Sequence, residues 1–336
     1  MYILGMESSC DETSVSVLRV DDGKFTVLSD IIASQIETHR LYGGVVPEIA
    51  SRAHIEAISR ITYEALDEAK VTLSDIDCIA VTSHPGLIGA LLVGVNFGKS
   101  LAFANKIPLV SVNHINGHIA AAYLTDDTLK PPYLALVVSG GHTNIFSVED
   151  YRDFRVVGTT RDDAIGEAFD KIGRVIGMPY PGGAAMDKLA YEGDKNAIKF
   201  PSPALRDSLD FSFSGIKTAA LNYINGANQR GEEVNRANLA ASYTAAICEA
   251  IEKQIDGALT ETGHKTLVMA GGVAANSHIR RTLQSLCDKR GVKLIYPPIS
   301  LCGDNAAMIA AAGYFEFMAG ERADTSLNAS ASDDGK

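Results

Sequence analysis

The chain has no tryptophan, only 7% aromatic residues, and five cysteines with no CxxC pair among them. Scattered thiols in odd number offer neither a disulfide framework nor a zinc-ribbon spacing, and they fit a reducing compartment. Positive charge is also short: 30 Lys and Arg against 41 Asp and Glu leave a formal net charge of −11. Such a field repels a polyanion. A nucleic-acid partner must therefore meet a local basic patch, with Arg280, Arg281, Lys289, Arg290 and Lys293 as candidates, or the surface of another subunit. Apolar runs are broken by Gly, Asn or Lys before reaching the roughly 18 residues that span a bilayer. Residues 2–5 enter a strand-like run with no basic-then-apolar leader. A cytoplasmic protein without a membrane partner is expected. What is present, 46% hydrophobic and 21% charged residues over a length of 336, suffices for two domains with separate cores.

The stretch NHINGH (113–118) follows an apolar run at 107–112 and reads as a strand handing over to a helix. Histidines four residues apart on a helix point the same way, so His114 and His118 can converge on one cation. Imidazole pairs suit zinc, iron, nickel or copper, and a harder third ligand must come from elsewhere. The alternative is two polar helix residues near a surface. A protease of the HExxH kind is excluded, because its general base would stand where this chain has Ile115. The run Gly94–Ser100 imitates a GxxxxGKS phosphate loop. Its first glycine is one residue too close, and it lies inside an apolar helix predicted over 87–104, which should be buried against a sheet.

Taken in order, residues 3–18 read as strand, polar turn, strand, with the turn ESSCDET at 7–13. A turn rich in hydroxyls and acids at a sheet edge suits phosphate or a phosphate-bound cation; an ordinary hairpin turn is the plainer reading. A strand follows at 27–34, a glycine-containing loop at 39–47 and a long helix at 48–69. The pattern recurs after a proline-containing boundary at 126–132: strand 133–138, turn SGGHT, strand 144–148. The repeat predicts an internal duplication, and its paired glycines allow close backbone approach to a ligand. The amphipathic helix expected at 162–176 carries Asp163, Glu167, Asp170 and Lys171 on a solvated face, with Asp170 poorly accommodated between Phe169 and Ile172. After Pro181-Gly182-Gly183 a further helix bears Asp187, and 209–218 (LDFSFSGIKT) is odd for either core or loop. Strand 266–270 then leads into GGVAAN, a strand–Gly-Gly–helix junction of the kind that seats nucleotides. Asp304 sits in a tight turn before the last apolar helix at 306–317, and the polar stretch from Ala323 reads as disordered.

Together ESSCDET, YGGVVPE (42–48), GKSLAF with NHINGH (98–118), VVSGGHT (137–143), GEAFDK (166–171), YPGG (180–183), FSFSGIKT (211–218), GGVAAN and CGDNAAMIA (302–310) resemble the TsaD/Gcp family, in the family's order and over residues 1 to 320. That family comprises tRNA N6-adenosine threonylcarbamoyltransferases once described as O-sialoglycoprotein endopeptidases. Departures are Asn113 for a histidine, Ile216 for leucine and Gly303 for threonine. The resemblance implies an α/β, two-domain fold of the actin, sugar-kinase and Hsp70 type (ASKHA) with a duplicated core and an interdomain nucleotide cleft. The first domain would comprise 1–130 plus 303–324, the second 131–302, with 325–336 a disordered tail.

The resemblance also implies a site. His114, His118 and Asp304 would bind a divalent metal, Fe2+ or alternatively Zn2+. Val137, Val138, Ser139, Gly140, Gly141, Asp170, Gly183, Asp187 and Asn276 would bind threonylcarbamoyl-adenylate. The reaction would be acyl transfer to the adenosine beside the anticodon of tRNAs reading ANN codons, with release of AMP, in company with the TsaB paralogue and the TsaE ATPase of bacteria. The acceptor amine must lose a proton, and Asp11, in the opening turn, is the candidate base. An ASKHA-type small-molecule kinase would leave the HxxxH–Asp304 set unexplained, and a metallopeptidase would lack its glutamate.

Overall fold

Two five-stranded sheets carry the architecture, each in a unit of its own, and the computed structural model describes residues 1–332. The first unit comprises Met1–Leu129 and the chain from Pro297 onward, the second Lys130–Tyr296. In the first, the strands β1 (Tyr2–Glu7), β2 (Glu12–Asp21) and β3 (Lys24–Ser34) form an antiparallel meander. The chain continues through α1 (Ile36–Arg40), α2 (Pro47–Ala69), β4 (Cys78–His84), α3 (Ile88–Asn105), β5 (Leu109–Asn113) and α4 (His114–Ala120). The second unit repeats the meander with β6 (Tyr133–Val138), β7 (Thr143–Asp150) and β8 (Asp153–Thr159). It proceeds through α5 (Ile165–Val175), α6 (Gly182–Leu189), α7 (Ser214–Gln229), α8 (Arg236–Thr262), β9 (Thr266–Ala270), α9 (Ser277–Arg290) and β10 (Lys293–Ile295). The helix α10 (Ala306–Met318) returns to the first unit.

The strand orders β3-β2-β1-β4-β5 and β8-β7-β6-β9-β10 correspond one to one, with the meander pairs antiparallel and the others parallel. The duplication expected from the repeated strand–turn–strand signal is thus present in the topology. The central strands β1 and β6 are buried almost throughout, as continuous apolar runs are when a sheet is covered on both faces.

The start of α10 is fixed with care. A Cβ at Gly5 would stand 2.2 Å from the Ala306 carbonyl oxygen, so only glycine lets α10 lie this close to β1. Ser14 Oγ accepts from the Ala306 N–H at 2.9 Å, Asp30 accepts from Ser14 Oγ and from the Ala307 N–H, and Asn305 caps the helix by accepting from the Met308 N–H. These bonds satisfy helix N–H groups that have no partner within the helix, and they orient Asp304 just before it.

The helix expected at 87–104 is α3, and only one of its faces is buried. It packs on β4 and α2, while Ile88 and Phe103 are 48% and 75% exposed. By length and composition it would pass as a membrane span, contrary to the expectation that no apolar run reaches that length. Of the residues expected to form a disordered tail, 325–332 lie along the first unit. Lys99 Nζ donates to the Leu327 carbonyl, the Ser330 N–H to the Ser83 carbonyl, and the Gly86 N–H to the Ala331 carbonyl. Leu327 and Ala329 add to the core, and residues 333–336 lie outside the described part.

Burial pushes the Asp30 carboxyl up to about 6, against the hydrogen bonds it accepts from Ser14 and the start of α10. A carboxyl with a higher pKa in the folded chain favours folding fully below its ordinary value near 3.8, and that advantage is lost as pH rises through 6. Asn keeps the acceptor oxygen and does not titrate. Denaturant unfolding at pH 4 and pH 8 should therefore show Asp30→Asn gaining on the wild type by about 2–3 kcal/mol between the two.

Candidate metal centre and glycine turns

The apolar strand β1 ends in Glu7, a carboxylate 1% exposed. Its oxygens accept from the Ser9 N–H, from Thr82 Oγ1 at 2.6 Å and from His114 Nδ1 at 3.0 Å. A carboxylate only accepts, so His114 Nδ1 carries a hydrogen. Against burial, which lowers it, the charges of Asp304 and Glu7 push the imidazole up to about 9, and a metal ion at Nε2 would take the place of a proton there. Burial alone would raise the Glu7 carboxyl; the His114 charge and hydrogen bond outweigh it and hold Glu7 below the usual carboxylate range. Asn113 caps α4 by accepting from the Ile115 and Asn116 N–H groups, which starts the helix at His114. One turn on, Gly117 lets α4 approach α10, since a Cβ there would stand 2.6 Å from Ile309 Cδ1.

Both histidines thereby face Asp304. His118 Nε2 lies 3.2 Å from Asp304 Oδ1 and His114 Nε2 3.6 Å, and one ligand atom from each of the three residues falls within 4.8 Å of the others. Both ring nitrogens of His118 are buried without a hydrogen bond. Bare imidazole nitrogens against a carboxylate, with edges of 3.2 and 3.6 Å, suit metal–ligand bonds of about 2.1 Å meeting at roughly 100–120°. The residues fit a divalent transition metal, and Glu7 is the acceptor that fixes the tautomer of one ligand.

Asp11 is 9% exposed in the turn between β1 and β2. Its neighbour Glu12 is pushed up to about 9 by burial and then by the charges of Asp11 and Asp304. A cation held by Asp304 would draw it down again. Burial also pushes the Cys10 thiol up, so it is no nucleophile.

In the second unit the residues expected to bind substrate gather at the carboxyl end of β6 and β9. Val137 and Val138 are fully buried, so their side chains reach no ligand. Beyond them, Ser139 closes its turn by donating its N–H to the His142 carbonyl, leaving Gly140 and Gly141 exposed. Gly271, at φ 92°, passes so near Val138 that a Cβ would stand 2.4 Å from its carbonyl oxygen, whereas a Cβ on Gly272 meets nothing. Two acids sit at helix starts. Asp170 Oδ1 accepts from the Gly182 and Gly183 N–H groups at 2.7 and 3.2 Å. Asp187 accepts from the Ser277 N–H and hydroxyl and from His278 Nδ1. Asn276 caps α9, its side chain accepting from His278 and Ile279 N–H groups. Helix starts carry partial positive charge, which explains why carboxylates collect there.

The solvated acidic face expected on 162–176 is corrected by these contacts. The helix begins only at Ile165; Asp163 pairs with Lys171 and Lys217, and Asp162 gathers Ser212, Phe213 and Ser214. That last set also accounts for the odd composition of 209–218, whose Phe211 and Phe213 are buried and stacked. Among the basic candidates, Arg280 lies over Tyr296, Arg281 over Tyr191, and Arg290 pairs with Asp256.

The profile of the TsaD family, tRNA N6-adenosine threonylcarbamoyltransferase, matches residues 26–311. A Clostridium botulinum (strain 657 / Type Ba4) protein of the same name is 54% identical over 329 residues, 97% of this chain and 96% of the relative. The chain belongs to the tRNA N6-adenosine threonylcarbamoyltransferase family. Another member, from Clostridioides difficile (strain 630), is 50% identical over 97% of this chain and 96% of its own length. Full-length HypF, in a phosphate- and nucleotide-bound form, matches with a TM-score of 0.61 at 15% identity, over 96% of this chain and 47% of HypF. Component A of the Acidaminococcus fermentans (R)-2-hydroxyglutaryl-CoA dehydratase gives 0.56 at 15% identity, over 96% and 100%. Such distant likeness bears on the fold alone, which is α/β of the ASKHA type.

Sequence reasoning placed the acids of the turn 7–13 at a sheet edge without giving Glu7 or Glu12 a role of its own, and it missed His54 and His278. Only Glu7 left a signal, an acid ending an otherwise apolar strand. Two variants test the centre in this family member. His114→Ala with His118→Ala should abolish metal uptake measured by elemental analysis while the circular dichroism spectrum persists. Glu7→Gln should weaken metal affinity about 10–100-fold in a chelator competition; an unchanged affinity would remove Glu7 from the centre.

Proposed function

We propose that this chain transfers the threonylcarbamoyl group of threonylcarbamoyl-adenylate to N6 of the adenosine beside the anticodon in tRNAs reading ANN codons, releasing AMP. The observation that carries this reading is 54% identity to a relative named for threonylcarbamoyl transfer, over 97% of this chain. His114, His118 and Asp304 would hold the metal, Fe2+ as the first assignment and Zn2+ as the second. When bound, it supplies a Lewis acid with open positions beside two imidazoles and a carboxylate. The bond from N6 to the carbamoyl carbon forms, the bond from that carbon to the phosphate oxygen breaks, and AMP carries away the electron pair. The amine proton goes to Asp11. The turn Ser139–Gly141, behind which Val137 and Val138 contribute backbone only, would offer phosphate the N–H groups of its exposed Gly140 and Gly141. Asp170, Gly183, Asp187 and Asn276 would complete the adenylate site around the starts of α6 and α9.

A net charge of −11 makes this chain a poor tRNA binder by itself. The TsaB paralogue would dock on α2 and α3, which pack together and leave Ile55 and Tyr63 of α2 and Ile88 and Phe103 of α3 exposed, with the TsaE ATPase joining the assembly in the cytoplasm.

Mass spectrometry of tRNA nucleosides after incubation with threonylcarbamoyl-adenylate and the partner proteins tests the reading; absence of the modified nucleoside would overturn it. Asp11→Asn should keep metal and adenylate binding yet lose about 100-fold or more in turnover, in line with a lost general base. Gly272→Val places its Cβ where no atom of its own fold stands within 4 Å. It should therefore weaken AMP binding at least tenfold in calorimetry with an unchanged melting temperature. Ile55→Asp with Tyr63→Asp should prevent co-elution with TsaB on gel filtration, and full tRNA affinity of the isolated wild type would dismiss the need for partners.

A further inference from the structure

His54 is fully buried on α2, and its ring bridges the two sides of the acid turn. Nε2 lies 3.0 Å from the Cys10 carbonyl oxygen, which can only accept, so Nε2 carries the ring hydrogen. Nδ1 is then a bare acceptor, and it takes the hydroxyl hydrogen of Thr13 Oγ1 at 2.7 Å. The tautomer is fixed by these partners and the ring is neutral; burial holds its pKa below the ordinary imidazole value. Cys10 and Thr13 flank Asp11 and Glu12, so one imidazole pins both shoulders of the turn to the middle of α2. A second tie runs alongside. The Gln35 N–H donates to the Asp11 carbonyl at 3.0 Å, and Gln35 Nε2 donates to the Ala50 carbonyl on α2 at 3.4 Å. Thr13 and His54 are both 0% exposed, so no water can replace either bond without opening the core.

We propose that His54 is a positioning residue for Asp11, acting through the Thr13 hydroxyl and the Cys10 carbonyl. This rests on the reading of Asp11 as the proton acceptor. A carboxylate that must meet an amine at hydrogen-bonding distance tolerates little drift, and a misplacement of about 1 Å can lower turnover by about 100-fold. The arrangement also divides the work between the two ring nitrogens. An amide oxygen in the place of Nδ1 would keep the bond from Thr13, and an amide nitrogen in the place of Nε2 would keep only the bond to Cys10.

The test uses full-length protein with its partners and four variants: His54→Gln, His54→Asn, Thr13→Val and the double variant His54→Gln/Thr13→Val. His54→Gln and Thr13→Val should each lower kcat about 10–100-fold, with unchanged KM for the adenylate and unchanged metal content. The double variant should be no worse than the more affected single one, because both remove the same bond. His54→Asn should recover at least a third of the wild-type kcat. Hydrogen exchange read by mass spectrometry supplies a measure independent of turnover: amides of residues 9–13 should exchange at least tenfold faster in His54→Gln, with α10 unchanged. If the wild type makes no modified nucleoside, the functional reading has failed, and the exchange data still decide whether His54 holds the turn. Unchanged kcat in His54→Gln and Thr13→Val, or faster exchange spread evenly over the first unit, would overturn the proposal.

Discussion

Glu7 is the constraint on which the first unit turns. Leaving a carboxylate unpaired at the end of a buried strand would disfavour the fold by several kcal/mol. Its three partners come from three elements: the turn after β1, the strand β4 and the helix α4. Satisfying the charge therefore sets the register of that turn against its neighbours and orients the first ring of α4. The hydrogen bond that satisfies Glu7 is also the one that turns His114 Nε2 toward Asp304. The bond that stabilises the strand end is thus also one that orients a candidate metal ligand, so a change at Glu7 acts on both.

The second unit uses acids differently. Asp162, Asp170 and Asp187 each lie where a helix begins, and each accepts from backbone N–H groups. A helix start offers donors and a partial positive charge, so a carboxylate there is satisfied locally and needs no buried cation. Asp187 goes further: it holds Ser277 and His278 together, and Tyr191 in turn bonds Ser277 Oγ and packs on the His278 ring. The residues assigned to the adenylate are thus tied to helix starts, and their positions follow from helix geometry more than from loop conformation.

Much of this was legible in the chain. The duplicated strand–turn–strand signal, the His114–His118 spacing and the isolated Asp304 each follow from local pattern, because periodicity and i, i+4 geometry are properties of short segments. The burial of Glu7 and the neutral clamp by His54 were not legible. Each depends on partners more than 40 residues away, and nothing in the local sequence marks an acid or a histidine as satisfied. The expectation that α3 is buried against a sheet held for the face that packs on β4, and its other face is exposed. An all-round apolar helix says that burial is favourable, but which face finds the sheet is decided by the neighbours. The polar stretch 325–332 illustrates the converse. Low hydrophobicity suggested disorder, yet backbone bonds to Ser83, Gly86 and Lys99 need no apolar side chains.

The two turns that follow the first strands of the duplicated halves share one topology and differ in chemistry. ESSCDET keeps three carboxylates, Glu7, Asp11 and Glu12, and burial followed by the charges of Asp11 and Asp304 already pushes Glu12 up to about 9. A phosphate brought there would add negative charge to a site that cannot hold its own. A cation would relieve it, and two imidazoles with Asp304 stand ready to place one. SGGHT has no acid at all. Its glycines, exposed and with nothing where a Cβ would project, let backbone N–H groups approach an anion. On the same strand–turn–strand scaffold one turn gathers acids beside two imidazoles and the other leaves glycine backbone exposed, so the chemical contrast between the units follows from the composition of two short turns.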